Sequence, residues 1–204
     1  HRALCDADFV LPIEPSIPDI EGYEGALYGK LFPTYSDTDT RFRLLCATDS
    51  HTRTQNAAET QEAAWLLGIQ LGIQVVPGAC NEALHVLAGQ SEVLQTIGGK
   101  LSTKTWRTDV PEPASLVIGT IAGGPTLQTW EHVARALAAS AAVIQEGGAI
   151  ALCTELKEPP FPALKHMAFE TSEFLPPEDR PAHTAEEELV VQRIRQTLQR
   201  ASVY

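Results

Sequence analysis

The chain has 204 residues, 44% of them hydrophobic and 20% charged, which is typical of one or two globular domains with an ordinary core. Its net charge of −11 argues against a general nucleic-acid-binding surface. No apolar run is long enough to span a membrane, and the four cysteines are scattered without a CxxC pair, so we expect a cytoplasmic protein that binds neither nucleic acid nor membrane.

The first half of the chain is predicted to form strands and helices around a loop at residues 14–40, which is rich in Pro, Gly and Asp. Short apolar runs bounded by turn residues indicate the strands. Helical spacing of alanines and leucines predicts a helix at residues 56–69, and a second helix follows Gln90 and ends at Gly98–Gly99. The predicted strands are residues 9–13, 42–48, 69–78 and 82–90.

A polar segment with two prolines, residues 107–114, indicates a boundary between a domain at residues 1–110 and one at 111–204. Strand 115–120, a glycine loop, helix 126–145 and strand 149–154 then form a βαβ unit, which requires parallel strands. Beyond a proline-rich stretch, Thr184 is predicted to cap a last helix. We therefore expect an α/β fold with a mainly parallel sheet, flanking helices and a Rossmann-like second domain, within a larger two-domain protein.

The glycine loop is the candidate ligand site, because ligands of open α/β sheets bind beyond the carboxyl ends of the strands. Glycines allow close approach of the backbone, and an arginine near a helix start suits a carboxylate. An alternative stays open, in which Glu131 and Arg135 form an exposed ion pair and His132 is solvated. The candidate substrate-binding residues are Gly123, Gly124, Glu131, His132 and Arg135.

Two stretches carry a family resemblance. "ASLVIGTIAGGPTLQTWEHVARALAASAAVIQEGGAIALCTEL" resembles the carboxy-terminal domain of the nickel-pincer lactate racemase family, in which a strand runs into Gly-Gly-x-Pro and a helix with a Tyr-Gln-x-x-Lys pattern. "ETQEAAWLLGIQLGIQVVPGACNEALHVLAGQSEVLQTIGGK" is similar to an earlier segment of that family. The resemblance makes residues 1–110 the remainder of the family's N-terminal α/β domain, and residues 111–204 most of its carboxy-terminal domain.

The resemblance implies an isomerase that inverts a 2-hydroxy acid by hydride removal and return through a nickel-pincer nucleotide bound to a lysine. Its substrate-contacting pattern falls on Glu131, His132 and Arg135, of which Arg135 keeps a cation for a carboxylate. Lys30, in "PDIEGYEGALYGK", lies one residue from the position of the cofactor-bearing lysine. Pro18 occupies the position of a base histidine, and no histidine occupies that of the nickel ligand, so no metal ligand or catalytic residue is assigned.

Three functions are therefore compared. The first is a racemase or epimerase of a 2-hydroxy acid, and the second is a non-catalytic binding protein that keeps the fold without the nickel chemistry. The third, a methyltransferase-like Rossmann domain, is suggested by "VIQEGGAIALC" but requires a glycine-rich loop after an earlier strand. Because "FVLPIEPS" contains no such loop, this third function ranks last.

Overall fold

The computed structural model describes residues 2–18, 31–32, 34–46, 50–79, 82–169 and 184–204. The chain divides into two compact units, His1–Asp109 (unit 1) and Val110–Tyr204 (unit 2). Each contains helices and a sheet, and all of the described strand pairs except one are parallel. The predicted α/β class with a mainly parallel sheet and flanking helices is thus confirmed. The assignment of residues 1–110 and 111–204 to domains of a larger protein stays a prediction.

Unit 1 contains a mixed sheet in the order β1-β2-β3, in which β1 runs parallel to β2 and β3 runs antiparallel to it. Its described strands are β1 (Ile13–Pro15), β2 (Gly72–Pro77) and β3 (Ala83–Gly89). Its described helices are α1 (Arg2–Cys5), α2 (Thr38–Leu45), α3 (Ser50–Leu66) and α4 (Ser91–Trp106). The strands predicted at residues 69–78 and 82–90 and the helix predicted at 56–69 are confirmed in kind, with shifted ends.

The core of unit 1 lies between this sheet and its helices. Leu94 of α4 is 2% exposed and packs with the buried Ala64 of α3 and the half-buried Leu87 of β3. Gln74 of β2 is also buried, and a Cβ added at Gly98 of α4 would meet its amide oxygen. The two glycines expected to end this helix are instead placed inside it, and Gly98 lies where helix and strand approach closely.

The strand predicted at residues 42–48 is wrong, since α2 occupies most of this segment. The side chain of Asp37 accepts a hydrogen bond from the backbone N–H of Thr40 at 3.0 Å, which caps the helix start. A short apolar run fits a strand and a buried helix face equally well, so the capping residue upstream was the better signal. The strand predicted at residues 9–13 is also displaced, because β1 begins only at Ile13.

Unit 2 is built around a fully parallel sheet in the order β4-β5-β6. Its described strands are β4 (Ala114–Thr120), β5 (Ile144–Cys153) and β6 (Ser202–Val203). Its described helices are α5 (Trp130–Val143), α6 (Pro162–Phe169) and α7 (Ala185–Arg200), with a short 3-10 turn at Pro125–Leu127. The predicted βαβ unit is confirmed as β4-α5-β5. Strand β5 begins before Gly147, whose φ of +75° accompanies a break in pairing with β4.

The core of unit 2 lies on one face of this sheet. Ile150 of β5 is fully buried and packs with Val133 and Leu137 of α5 and with Val191 of α7. On the opposite face of the sheet, Ile118 of β4 is 67% exposed. The described helices of unit 2 therefore cover a single face, which matches the alternation of side chains along a strand.

The last helix, α7, begins as the sequence predicts. The Thr184 hydroxyl accepts from the N–H of Glu187 at 3.2 Å, and the Glu187 carboxylate accepts from the N–H of Thr184 at 2.7 Å. This reciprocal capping box satisfies two N–H groups at the helix start. Among the described helices, none combines the length and apolar character needed to cross a bilayer.

Candidate functional site

The glycine turn follows β4 directly, as predicted. Gly123 has a φ of +111°, a conformation that L side chains rarely adopt, and a Cβ there would meet the side chain of Leu127. Gly124 has an ordinary φ of −76°, and a Cβ there would have no atom within 4 Å. The two glycines therefore differ: Gly123 is required by the shape of the turn, whereas Gly124 borders open space.

The start of α5 is capped by Thr129. Its hydroxyl accepts from the N–H of His132 at 3.4 Å and lies 2.8 Å from Nδ1 of the same histidine. The His132 ring is thus turned toward its own helix cap and is half-buried. A hydroxyl that already accepts from an N–H can still donate its own hydrogen, so Thr129 can donate to Nδ1 and leave Nε2 to carry the ring proton.

Glu131 and Arg135 form an ion pair one helical turn apart, with Oε1 and Nη2 at 2.8 Å. The side chains are 56% and 49% exposed, so this is a surface pair. Exposed pairs at this spacing contribute only about 0.3–0.5 kcal/mol. The exposed ion pair of the alternative is therefore what the structure contains, whereas His132 is half-buried against Thr129 rather than fully solvated.

The turn lies beside the end of β5, because Thr120 of β4 pairs with Cys153. Beyond this pair, the N–H of Ile121 donates to the carbonyl of Cys153 at 3.4 Å. The glycine turn and residues 154–155 are therefore at the carboxyl ends of adjacent parallel strands. Ligands of open α/β sheets bind at this end.

Gln128, which the sequence analysis missed, joins these two strand ends. It is 7% exposed, and its Nε2 donates to the carbonyl of Ile121 at 3.1 Å. Its Oε1 accepts from the hydroxyl of Thr154 at 2.8 Å and from the N–H of Glu155 at 3.1 Å. No sequence signal marks this role, since a glutamine next to a helix start is usually exposed.

No family model matches the chain, and no curated protein matches it. Among solved structures, it is similar to the lactate racemase apoprotein from Thermoanaerobacterium thermosaccharolyticum, with a TM-score of 0.76 at 17% sequence identity. The similarity covers 100% of this chain and 52% of that one. The chain has a lactate racemase-like fold. It spans about half the length of that protein.

The lactate racemase-like fold raises the question of a cofactor. Lys30, the predicted attachment residue, lies outside the described residues. Within the described part of the chain, no three His, Cys, Asp or Glu side chains are grouped so that they could hold a metal ion. The described residues thus supply no fit for a nickel centre, and no chemical step is derived through one.

The remaining histidines of the described segments are spread over the fold. His51 near the start of α3 and His85 on β3 are exposed, and His166 on α6 is half-buried. Among the described histidines, His132 is the one that lies in the first turn of α5, the helix that follows the glycine turn. The structure joins Glu131 to Arg135 and His132 to the helix cap Thr129. That these residues form one site with Gly123 and Gly124 stays a prediction.

A second polar arrangement lies in unit 1, between α2 and α3. The Arg43 guanidinium binds both oxygens of the Glu59 carboxylate, at 2.6 and 2.8 Å. This bidentate contact holds the pKa of Glu59 below its ordinary value. Hydrogen bonds from Thr40 likewise lower the pKa of Asp37. Glu59, Asp37 and Thr40 line part of a largely apolar cavity of about 520 Å³.

Proposed function

We propose that the chain is part of a lactate racemase-like protein that binds a 2-hydroxy acid beside the glycine turn and acts as its racemase or epimerase. The observation that carries the proposal is the similarity of the whole chain to a lactate racemase apoprotein at a TM-score of 0.76. Because a fold alone does not specify a reaction, the assignment of the acid and of the chemistry is our inference.

In this proposal the substrate carboxylate binds near the start of α5. The first N–H groups of a helix have no acceptor within it, and the helix dipole favours an anion there. Arg135 supplies a cation and has to exchange its partner Glu131 for the substrate. The exposed pair contributes about 0.3–0.5 kcal/mol. Displacing Glu131 from the guanidinium therefore costs little.

In this proposal His132 forms a hydrogen bond with the substrate hydroxyl. Its Nδ1 lies against the Thr129 hydroxyl at 2.8 Å, so Nε2 is the ring nitrogen available to a ligand. Inversion at the hydroxyl-bearing carbon by hydride removal needs an acceptor that no side chain supplies. The family resemblance implies that a nickel-pincer nucleotide on Lys30 would supply this acceptor, and because the described residues show no group of nickel ligands, the nickel measurement described below tests this part of the proposal.

A non-catalytic binding protein is the second candidate function. The Glu131–Arg135 pair favours it, because a carboxylate stands next to the cation that would receive the acid. Such a protein keeps the glycine turn and the capped helix and does not convert its ligand. In both cases we propose a small-molecule partner and a cytoplasmic location, supported by the net charge of −11 and the scattered cysteines.

The deciding experiment uses the full-length protein, produced in cells supplied with nickel and the cofactor's precursors. Nickel per chain is measured, and D- and L-lactate, malate and longer 2-hydroxy acids are assayed for inversion by chiral chromatography. Stoichiometric nickel with inversion in both directions supports the racemase. Saturable binding without inversion supports the binding protein and overturns the racemase. Absence of binding overturns both.

A matched pair of variants tests the assigned cation. Arg135→Gln is expected to raise the KM, or the Kd of a non-catalytic protein, about tenfold, as the loss of a charge-assisted hydrogen bond predicts. Arg195→Gln, at an exposed arginine of α7, makes the same change in net charge and serves as the control. Equal effects of the two variants would mean that Arg135 acts only through the overall charge.

A further inference from the structure

The amide of Gln128 has a single orientation that satisfies its neighbours. Its NH2 group faces the carbonyl of Ile121, and its oxygen faces two donors, the Thr154 hydroxyl and the Glu155 N–H. Rotating the amide by half a turn would set an oxygen against a carbonyl and an NH2 group against a backbone N–H. Because the side chain is 7% exposed, water cannot readily relieve either contact.

The three hydrogen bonds of the Gln128 amide hold the two ends of the glycine turn together and fix them to the end of β5. Ile121 stands before Gly123, and Gln128 stands after it, so the bond between them spans the turn. The bonds from Thr154 and Glu155 to the Gln128 amide oxygen connect this side chain to the end of β5. Thr154 is itself fixed, since its hydroxyl accepts from the N–H of Leu156 at 3.1 Å.

The residue after Gln128 is Thr129, the cap of α5 that holds His132. We propose that Gln128 and Thr154 are positioning residues, which hold the glycine turn and the capped start of α5 in the geometry that binds the 2-hydroxy acid. This inference rests on the proposed function and assigns these two residues no contact with the substrate. It predicts that loss of the Thr154 hydroxyl weakens ligand binding from a distance.

The test compares Thr154→Val, which removes the hydroxyl at nearly constant shape, with Thr154→Ser, which keeps it. Thr197→Val is the control: Thr197 is 1% exposed in α7, and its hydroxyl donates to the carbonyl of Arg193, so the variant loses a buried hydroxyl elsewhere in unit 2. In the full-length protein, the Kd of L- and D-lactate and the hydrogen exchange of residues 123–128 are measured, together with the unfolding midpoint.

For Thr154→Val we expect a Kd raised about three- to tenfold and faster exchange in the turn, the size of effect that one lost hydrogen bond predicts. Thr154→Ser keeps the hydroxyl, so its Kd and its exchange rate in the turn are expected to equal those of the wild-type protein. Thr197→Val leaves both values unchanged, which separates positioning of the turn from a general response to the loss of a buried hydroxyl. An unchanged Kd or an unchanged turn in Thr154→Val overturns the inference. If the wild-type protein binds another of the acids assayed above better than lactate, the Kd values are measured with that acid. If it binds none of them, the proposed function is overturned, and the inference with it.

Discussion

Glu131 Oε1 lies 2.8 Å from Arg135 Nη2 on the exposed side of α5. If the ligand carboxylate competes with Glu131 for this guanidinium, Glu131→Gln is expected to lower the Kd of the hydroxy acid about twofold, because the pair contributes only about 0.3–0.5 kcal/mol. Isothermal titration calorimetry of the full-length protein with the hydroxy acid measures this change in Kd. Glu92→Gln, an exposed acid in the first turn of α4, is the charge-matched control. A weaker affinity in Glu131→Gln would assign the carboxylate itself to ligand binding.

The two glycines of the turn are expected to respond differently to alanine. Gly123→Ala forces a side chain into a φ of +111° and against Leu127, which costs about 1–3 kcal/mol. Gly124→Ala introduces a Cβ into open space at a φ of −76°, so the free energy of unfolding is expected to change by less than about 0.5 kcal/mol. Denaturant titration of the two variants measures the difference. Equal stabilities would contradict the turn geometry.

The same pair of variants also tests the ligand site. A methyl group at Gly124 occupies the space assigned to the substrate, so Gly124→Ala is expected to raise the Kd of the hydroxy acid at unchanged stability. An unchanged Kd would show that the hydroxy acid does not bind next to Gly124.

The two faces of the unit 2 sheet provide a third prediction. Ile150 is fully buried under the helices and Ile118, on the neighbouring strand, is 67% exposed. Ile150→Ala is expected to lower the free energy of unfolding by about 2–5 kcal/mol. Ile118→Ala in the 204-residue chain is expected to lower it by less than about 1 kcal/mol. Chemical denaturation of the chain measures the two losses, and similar losses would mean that the second face is covered as well.

A fourth prediction concerns acid stability in unit 1. The Arg43 guanidinium holds the pKa of Glu59 below its ordinary value of 4.5, so the carboxylate stabilises the folded chain above that pH. This contribution is lost as the pH falls through the lowered pKa, because the proton then binds in both states. Arg43→Gln is expected to return the Glu59 pKa toward 4.5, as measured by carboxyl NMR titration.

Since the Glu59 side chain is 39% exposed, solvent screening limits the stabilisation to about 0.5 kcal/mol. The stability difference between wild type and Arg43→Gln should therefore be small at neutral pH and disappear in acid. A difference that grows as the pH falls would have the wrong sign and would reject the ion pair as its cause. Lys104→Gln, in the last turn of α4, controls for net charge.

Local sequence patterns predicted a substantial part of the fold. The β-branched run 115–120, the glycines after it and the apolar spacing of α5 indicated the βαβ unit, because period and turn chemistry are encoded by neighbouring residues. The capping box at Thr184 was predicted for the same reason, since a cap bonds only to residues three positions away. The glycine turn and its place at a strand end followed from this order of elements.

Long-range contacts decided the rest. Gly98 lies inside α4 rather than at its end, at a point where Gln74, far away in sequence, approaches the helix so closely that a Cβ would not fit. Gln128 is buried because the ends of β4 and β5 together present one acceptor and two donors to it. Its burial could not be predicted from the residue type at position 128. Hydrophobic period and capping act within a few residues, whereas burial of a polar side chain depends on groups that only the folded chain brings together.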